Sequence, residues 1–515
     1  MSQSKIDALA PVGNLFLTVE NTETSKVLTE ALSLFQRCPG IGARIREDQD
    51  KAARRAKKRR LADREWRAAA TSDFADMEVC REEIAADQLC LKQGHPRMRP
   101  EVVYVFLVLR GTHGSVTDQD AVERLRDSLT IRVYLQNRRL KTPGVTTVLE
   151  NLNVVSNETR EFILDAQLRL ALEEGLDDFT KLILDSTAVE ANSAWPTDAG
   201  MLYGLLSRAY HYMGALPKLG LPQIRSWYCP KWLGEMKSLV FKINTAKGQG
   251  HRKKLYRHLL NRAARMTAYL MAQYRNTLLP ARHMVNLCPR VRQRLDQVWK
   301  QIGEDLSNVC RVQGYTRARV LAGRSIPSAE KVLSLSDPDL AFIQKGNREG
   351  TLGYKPQLGR SGNGFVSALR LSAGNTADAP EAVPLVLQDL ARTGVMPGKV
   401  TADDGYTSAI NREALLYLGV KEVVFAGAKG RQITPEQEWE SEAGRQARNG
   451  RSAVESLMFT LKFVYDFGRL RRRGLDAVRA EMLEKVIAYN FRRMSRVREF
   501  QAEAKQQERT AKKAA

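Results

Sequence analysis

Three charged residues near the C-terminal end of the chain have a spacing suited to phosphoryl chemistry. Arg451, Glu455 and Lys462 stand at i, i+4 and i+11, and a helix turning about 100° per residue places them within roughly 40° of one another. A carboxylate between two cations can hold a metal ion while the cations bind phosphate oxygens. The alternative is an ordinary Arg–Glu pair and a lysine on a solvated helix face. An apolar stripe at helical spacing runs beside them, formed by Val454, Leu457, Met458, Leu461, Val464 and Tyr465.

Two aspartates elsewhere lie in short apolar segments of the kind that forms buried strands. Asp185 is part of K-L-I-L-D-S-T-A-V, which starts at Lys181 and is partly β-branched. Asp403 directly follows a strand predicted over Gly398–Ala402. Because neighbouring side chains on a strand point to opposite sides, Asp403 and Asp404 are expected to face differently. We take Asp403 as the candidate metal ligand of the two.

A further acid, Asp198, follows a break in the strand pattern at Trp195-Pro196. Thr197 and Asp198 are residue types that cap helices, and a helix is predicted to start near Met201. We therefore expect Asp198 to have a capping role and no part in catalysis.

The elements that must position these acids alternate between strand and helix in a definite order. A strand with Asp185 is followed by a long helical segment, then by a hairpin beginning near Gly350. The rest is read as helix Ala379–Thr393, the strand ending at Asp403, helix Thr407–Leu418, strand Glu422–Ala426 and the helix with Glu455. This is the order of an RNase H-like α/β fold, with a mixed sheet, flanking helices and a helical insertion after the first strand.

The segment before Asp185 is predicted to be all-α, and a turn at Pro143-Gly144 between short helices is compatible with a helix-turn-helix. We expect the helical region 1–172, with its basic block Arg54–Arg60, to supply much of the DNA binding. The predicted ranges are a basic helical region at 1–95, a helical DNA-binding region at 96–178, a catalytic domain at 179–200 plus 345–470, a mainly helical insertion and linker at 201–344, and a C-terminal helix with a basic tail at 471–515.

Several motifs occur in the order typical of one enzyme family. They are D-S-T-A-V-E-A-N-S-A-W-P-T-D at Asp185–Asp198, K-V-L-S-L-S-D-P-D with K-G at Lys331–Gly346, G-N-T-A-D at Gly374–Asp378, A-D-D-G-Y at Ala402–Tyr406, and R-x3-E-x6-K at Arg451–Lys462. Through them the chain resembles bacterial insertion-sequence transposases of the DDE superfamily, above all the ISNCY-type and related groups.

The resemblance implies that Asp185, Asp403 and Glu455 are the catalytic acids and the metal ligands. It implies Mg²⁺ as the cofactor, with Mn²⁺ able to substitute, and double-stranded DNA as the partner at element ends and target. Carboxylates suit Mg²⁺, which is a hard cation, and two such ions can activate the attacking oxygen and stabilise the leaving oxygen of a phosphodiester. Arg451 and Lys462 would orient the phosphate. A homodimer or higher oligomer on DNA is expected.

The chain departs from the family pattern at three positions. Arg448 stands where the Y-x2-R-x3-E-x6-K pattern has tyrosine, Trp195 stands at the start of the Y-P-T-D element, and Asp404 stands where a basic residue is usual. The tyrosine's role therefore cannot be transferred. Trp195 is interpreted as a turn or core aromatic, with stacking on a base as the alternative.

The charge of the whole chain indicates a polyanionic partner. The formal net charge is +23 and the isoelectric point about 9.8, which favours fast, salt-sensitive association with nucleic acid. Phosphate contacts are expected from the dense basic block, specifically from Arg54, Arg55, Lys57 and Lys58. The alternative for this block is a solvated helix or an arm that orders on binding.

A membrane is excluded as the partner, because the longest apolar run, Val102–Leu109, is too short to span a bilayer. No secretory pattern opens the chain, and the cysteines lack C-x-x-C spacing. A cytoplasmic, nucleoid-associated bacterial protein is expected.

Two other functions share these features. An RNase H-like nuclease would use the same acids and metal but stop at cleavage, and a DNA-binding protein with a dead active site would use the basic surface alone. The presence of all three acids argues against the second alternative.

Overall fold

A computed structural model describes residues 22–71, 73–85, 97–112, 117–214, 216, 228–284, 287–344 and 349–514. These fall into two compact units. The first comprises Met1–Asp50, His95–Asn192 and Ile343–Ala515, and the second comprises Lys51–Gly94 and Ser193–Phe342. The K-G pair at 345–346 quoted for the family resemblance lies outside the described residues.

The described part of the chain before the first strand is helical, as predicted. Its helices are α1 (Glu23–Arg37), α2 (Pro39–Ala70), α3 (Phe74–Ala85), α4 (Pro100–Arg110), α5 (Asp118–Asp127), α6 (Leu129–Asn137), α7 (Val145–Val154) and α8 (Asn157–Glu173). Local sequence sets several starts, because a hydroxyl just before the helix accepts from an amide of the first turn. Thr22, Thr117, Ser128 and Ser156 do this for α1, α5, α6 and α8.

Five strands form the sheet of the first unit. They are β1 (Lys181–Ser186), β5 (Gln357–Ser361), β6 (Val366–Arg370), β7 (Lys399–Asp403) and β8 (Glu422–Ala426), in the spatial order β6-β5-β1-β7-β8. β1 is antiparallel to β5 and parallel to β7, and β7 is parallel to β8. This mixed five-stranded sheet is consistent with an RNase H-like transposase domain.

The predicted hairpin is formed by β5 and β6, which pair antiparallel. The residues just before it behave differently. They form β4 (Thr351–Tyr354), which pairs antiparallel with the short β2 (Val189–Glu190) outside the main sheet. A further short strand, β3 (Ala341–Ile343), precedes it in sequence.

Helices cover the sheet and bury its apolar residues. In chain order they are α14 (Ala382–Thr393), α15 (Ala409–Tyr417), α16 (Ala428–Ile433), α17 (Glu436–Trp439), α18 (Glu442–Gly450), α19 (Ser452–Phe463) and α20 (Leu475–Ala514). Leu182 and Leu184 of β1 and Val400 and Ala402 of β7 are buried in one core with Leu385 of α14. The period-2 pattern of each strand thus leaves the intervening residues, Asp185 and Asp403 among them, outside that core.

The second unit is helical in its described residues. Besides α3 and part of α2 it contains α9 (Asp198–Met213), α10 (Tyr228–Thr245), α11 (Gln249–Gln273), α12 (Leu279–Arg282) and α13 (Pro289–Thr316), with π-helical turns at Tyr274–Leu278 and Arg317–Leu321. The predicted stripe of α11, including Leu255, Leu259 and Met266, is buried in its core. None of the helices within the described ranges combines the length and apolar composition needed to cross a bilayer.

Candidate active site

Asp185 and Asp403 lie at the ends of adjacent parallel strands. Leu184 of β1 is in register with Ala402 of β7, so the two aspartates follow at equivalent positions on the same sheet edge. Both side chains are partly exposed. Burial and then the negative charges of nearby Asp378, Asp185, Asp403 and Glu381 all raise the pKa of the Tyr406 phenol, as expected where several carboxylates surround one buried ring.

The turn after β7 is shaped by Asp403 itself. Its Oδ1 accepts a hydrogen bond of 3.0 Å from the amide of Gly405, which closes an Asx-type turn. A Cβ atom at Gly405 would lie 2.8 Å from Asp378 Oδ2 and 3.0 Å from Asp403 Oδ1. A side chain at this position would have to displace the Asp378 carboxylate, which favours the glycine in A-D-D-G-Y.

Asp404 has a different set of partners from Asp403. Its carboxylate accepts from the amides of Lys429 at 3.2 Å and Gly430 at 3.0 Å, in the first turn of α16. Gly427, which precedes α16, has no side chain to cap it, so the cap comes from another segment. The Asp404 carboxylate is thus occupied by backbone donors.

The helix with Glu455 is shorter than the sequence pattern indicated. The segment Arg448–Asp466 is divided between α18 and α19, with Arg451 at the junction. Val454, Leu457, Met458 and Leu461 of the predicted stripe are buried on α19, and Tyr465 is buried just after it, whereas Val464, which follows the helix, is 45% exposed. The buried face of α19 includes Val454 and Leu457, and the helix contacts β1, which ends at the Asp185 edge of the sheet.

The Glu455 side chain is 64% exposed and is paired with Arg451 Nη2 at 3.1 Å. This is the i, i+4 pair that the sequence left open as the alternative to a metal site. Lys462 is partly buried on the same helix. The structure therefore brings Asp185 and Asp403 to one sheet edge, while the carboxylate of Glu455 faces an arginine and solvent.

Two acids of the predicted triad, Asp185 and Asp403, offer oxygens that suit a divalent metal. Asp185 and Asp403 supply hard carboxylate oxygens from two neighbouring strand ends, which is the donor type that Mg²⁺ takes. Across the described ranges, no three acids, histidines or cysteines are grouped closely enough to hold a metal ion. The two aspartates would supply oxygens from the sheet edge, while the Glu455 carboxylate is paired with Arg451 in this structure.

Asp378, the last residue of G-N-T-A-D, is a site residue that sequence reasoning quoted but gave no role. Its Oδ1 accepts from Gln357 Nε2 at 2.7 Å and from Lys355 Nζ at 2.8 Å. Burial alone would raise the pKa of this carboxyl, but hydrogen bonds from Gln357, Lys355 and Ser186 hold it below the usual value. The sequence signal for a role of Asp378 was its position one residue before the helical turn that begins at Ala379.

The residues at which the chain departs from the family pattern have structural partners. Arg448 donates from Nη1 to the carbonyl of Trp439 at 2.7 Å and lies over its ring. Trp195 is 62% exposed and packs edge-on against Phe342. Thr197 caps α9 as predicted, whereas Asp198 pairs with Arg319 Nη2 at 2.7 Å.

The basic block of α2 borders a groove in the second unit. Arg54, Arg55 and Lys58 are exposed and Lys57 is partly buried. The groove, of about 1070 Å³, is lined by Lys58, Arg59, Arg60 and Asp63 of α2 and by Arg290 and Arg294 of α13. Asp63 accepts from the Arg290 amide at 3.1 Å and from Cys288 Sγ at 3.3 Å, so it fastens the two helices together.

Comparison with known families gives a match to one part of the chain. Residues 329–491 match the sequence family described as Transposase DDE domain. A search of curated proteins and a search of solved structures each found no match. The family match includes Asp378, Asp403 and Glu455 and excludes Asp185, which only the pairing of β1 with β7 places beside Asp403. The match supports a DDE transposase, a family that acts on DNA and uses divalent metal ions.

Proposed function

We propose that this chain is a transposase of the insertion-sequence type, related to the ISNCY group, that cuts and joins DNA at the ends of its element. The observation that carries the proposal is the strand register that brings Asp185 and Asp403 together, within a fold whose later part matches the DDE family. Water attacks the phosphodiester and its 3′ oxygen leaves as a hydroxyl. That hydroxyl then attacks a phosphodiester of the target DNA, whose own 3′ oxygen leaves as the strands are joined.

Asp185 and Asp403 would hold the divalent ion, Mg²⁺ or Mn²⁺, which when bound would activate the attacking oxygen and stabilise the leaving oxygen. Glu455 would be the third ligand once its pair with Arg451 opens. The Arg451–Glu455 pair is exposed, and such pairs contribute about 0–1 kcal/mol, so DNA phosphate can replace the carboxylate at little cost. Arg451, released in this way, and Lys462 then orient the phosphate.

Contacts with the DNA backbone come from the basic surface, including Arg54, Arg55, Lys57 and Lys58. Phosphate contacts of this kind position DNA and carry no sequence information. A homodimer or higher oligomer would hold two element ends together.

The test is a cleavage and strand-joining assay on labelled duplexes that carry the sequences flanking the reading frame. Asp185→Asn, Asp403→Asn and Glu455→Gln should each lower cleavage at least about 100-fold, and combining them should add little because they act as a unit. DNA binding should survive in all three.

Asp404→Asn is the matched control, since asparagine also caps helices well. It should keep most of the cleavage activity. Metal-dependent cutting by a folded Asp403→Asn protein, or loss of cutting in the Asp404→Asn control alone, would reassign the site. Cleavage without joining of pre-cut ends would instead indicate a nuclease.

A further inference from the structure

Asp378 sits where three strand ends of the sheet meet. Its side chain is 13% exposed and that of its partner Lys355 is 10% exposed. Gln357, the second donor to Asp378 Oδ1, begins β5 and is in register with Ser186 of β1. Asp378 therefore accepts a hydrogen bond from Gln357, which pairs with Ser186 at the end of the strand that carries Asp185.

The same carboxylate reaches the turn that carries Asp403. Asp378 Oδ2 lies close to Gly405, where an added Cβ atom would be 2.8 Å from it. The Tyr406 hydroxyl donates to Gln357 Oε1, so Gln357 links Asp378 to the residue after Gly405. The loop that bears Asp378 is held in turn, because Lys355 Nζ also donates to the carbonyl of Thr376 at 3.1 Å.

We infer that Asp378 is a positioning residue that sets the spacing of the Asp185 and Asp403 carboxylates, and that Lys355 neutralises it so that it does not act as a third charge on the metal. This inference rests on the proposed function. Partners of metal ligands fix ligand orientation, and their loss typically costs about 10–100-fold in metal affinity or activity.

The charges of the pair lead to opposite predictions for its two members. Asp378→Asn leaves the Lys355 ammonium uncompensated beside the two aspartates, and a nearby cation opposes binding of a second one. Lys355→Met leaves an extra carboxylate there, which attracts a cation. If the Asp378–Lys355 pair only stabilised the fold, both variants would weaken binding of the metal ion.

The experiment measures binding of Mn²⁺ alone, in the absence of DNA, by electron paramagnetic resonance of the free ion. Asp378→Asn should weaken the binding about 10–100-fold, Lys355→Met should not weaken it, and the double variant should weaken it less than Asp378→Asn alone, because the uncompensated ammonium is also removed. Lys399→Met is the matched control, because Lys399 pairs with Glu422 at 2.6 Å at the opposite end of β7. It should leave Mn²⁺ affinity unchanged, and thermal unfolding should show every variant folded.

Two failures are distinguishable. If Asp403→Asn abolishes Mn²⁺ binding while Asp378→Asn binds like wild type, or if Asp378→Asn and Lys355→Met weaken it equally, the positioning role is wrong and the proposed function stands. If Asp403→Asn and Asp185→Asn both bind Mn²⁺ like wild type, the metal site itself is misassigned and the proposed function fails with it.

Discussion

At the scale of single residues, the surroundings of each carboxylate decide what it can do. Asp404 accepts two backbone amides of α16, Asp378 is held by Lys355 and Gln357, and Asp403 receives one amide from its own turn. Of the three, Asp403 keeps the most capacity to accept a further ligand, because a carboxylate offers about four lone-pair sites.

Asp389 gives a residue-scale prediction about pH. This residue of α14 is 1% exposed, and burial raises the pKa of its carboxyl to about 7. A folded-state pKa above that of the unfolded chain means that stability falls as pH rises from about 4 to about 7. Asp389→Asn should therefore stabilise the protein by on the order of 2–4 kcal/mol at pH 8 and have little effect near pH 4.

Urea unfolding at the two pH values measures this difference. Glu413→Gln, a change at an exposed position of α15, serves as the control and should leave stability nearly unchanged at both. An Asp389→Asn protein that is less stable than wild type at pH 8 would show that the charged carboxylate is needed in the fold.

At the scale of elements, the basic segment of α2 forms a surface together with a helix that is distant from it in the sequence. Residues from Lys51 onward are compact with the helical segment after Ser193, and Asp63 joins α2 to the start of α13. Five exposed cations, Lys58, Arg59, Arg60, Arg290 and Arg294, line the groove with one acid, Asp63. None of the five has an ion-pair partner among the residues that the structure describes. Such a groove suits a DNA backbone.

We predict that Arg290→Glu with Arg294→Glu weakens binding to duplex DNA and lowers the slope of log affinity against log salt by about 2, one for each lost phosphate contact. The control is Lys254→Glu with Arg257→Glu, an equal charge change at exposed positions of α11. Fluorescence anisotropy over a range of salt concentrations measures both. Equal losses in the two double variants would mean that net charge, and no particular groove, governs binding.

At the scale of the whole first unit, one buried acid connects elements that are far apart in the chain. Glu484 of α20 is paired with Arg110 of α4 at 2.7 Å, with Arg160 of α8 at 2.8 Å and with Arg472 at 2.9 Å. Burial alone would raise the pKa of its carboxyl, but the three arginines hold it well below the usual range. N-terminal and C-terminal helices are thus fastened through a single carboxylate.

Glu484→Gln should destabilise the protein by about 3–5 kcal/mol at pH 7, because three buried guanidinium groups lose their counter-charge. Since the folded pKa is depressed, the contribution of Glu484 is complete above about pH 4.5 and declines as pH falls further. The difference between variant and wild type should therefore shrink in acid.

Denaturant unfolding from pH 7 down to pH 3 tests this. Glu499→Gln on the same helix removes an exposed pair with Lys26 and should change stability little at any pH. A Glu484→Gln protein as stable as the Glu499→Gln control at pH 7 would contradict the role given to the cluster.

The sequence by itself determined the order of strands and helices and the positions of the candidate aspartates. Period-2 apolar patterns set β1 and β7, and hydroxyl caps set helix starts such as that of α9 after Thr197. These features depend on residues within a few positions of each other, so local patterns predict them. That Asp185 and Asp403 meet was expected only from the family resemblance, because the order of strands along the chain does not fix which strands are neighbours in the sheet.

Only the tertiary structure decided which side chains meet. Asp378 is bound by Lys355 and Gln357 from a neighbouring segment, Asp404 caps the start of α16, and Glu455 is paired with Arg451. The groove joins α2 to a helix more than two hundred residues later in the sequence. Such contacts are set by packing between distant segments, and the spacing of residues along one segment contains no information about the other.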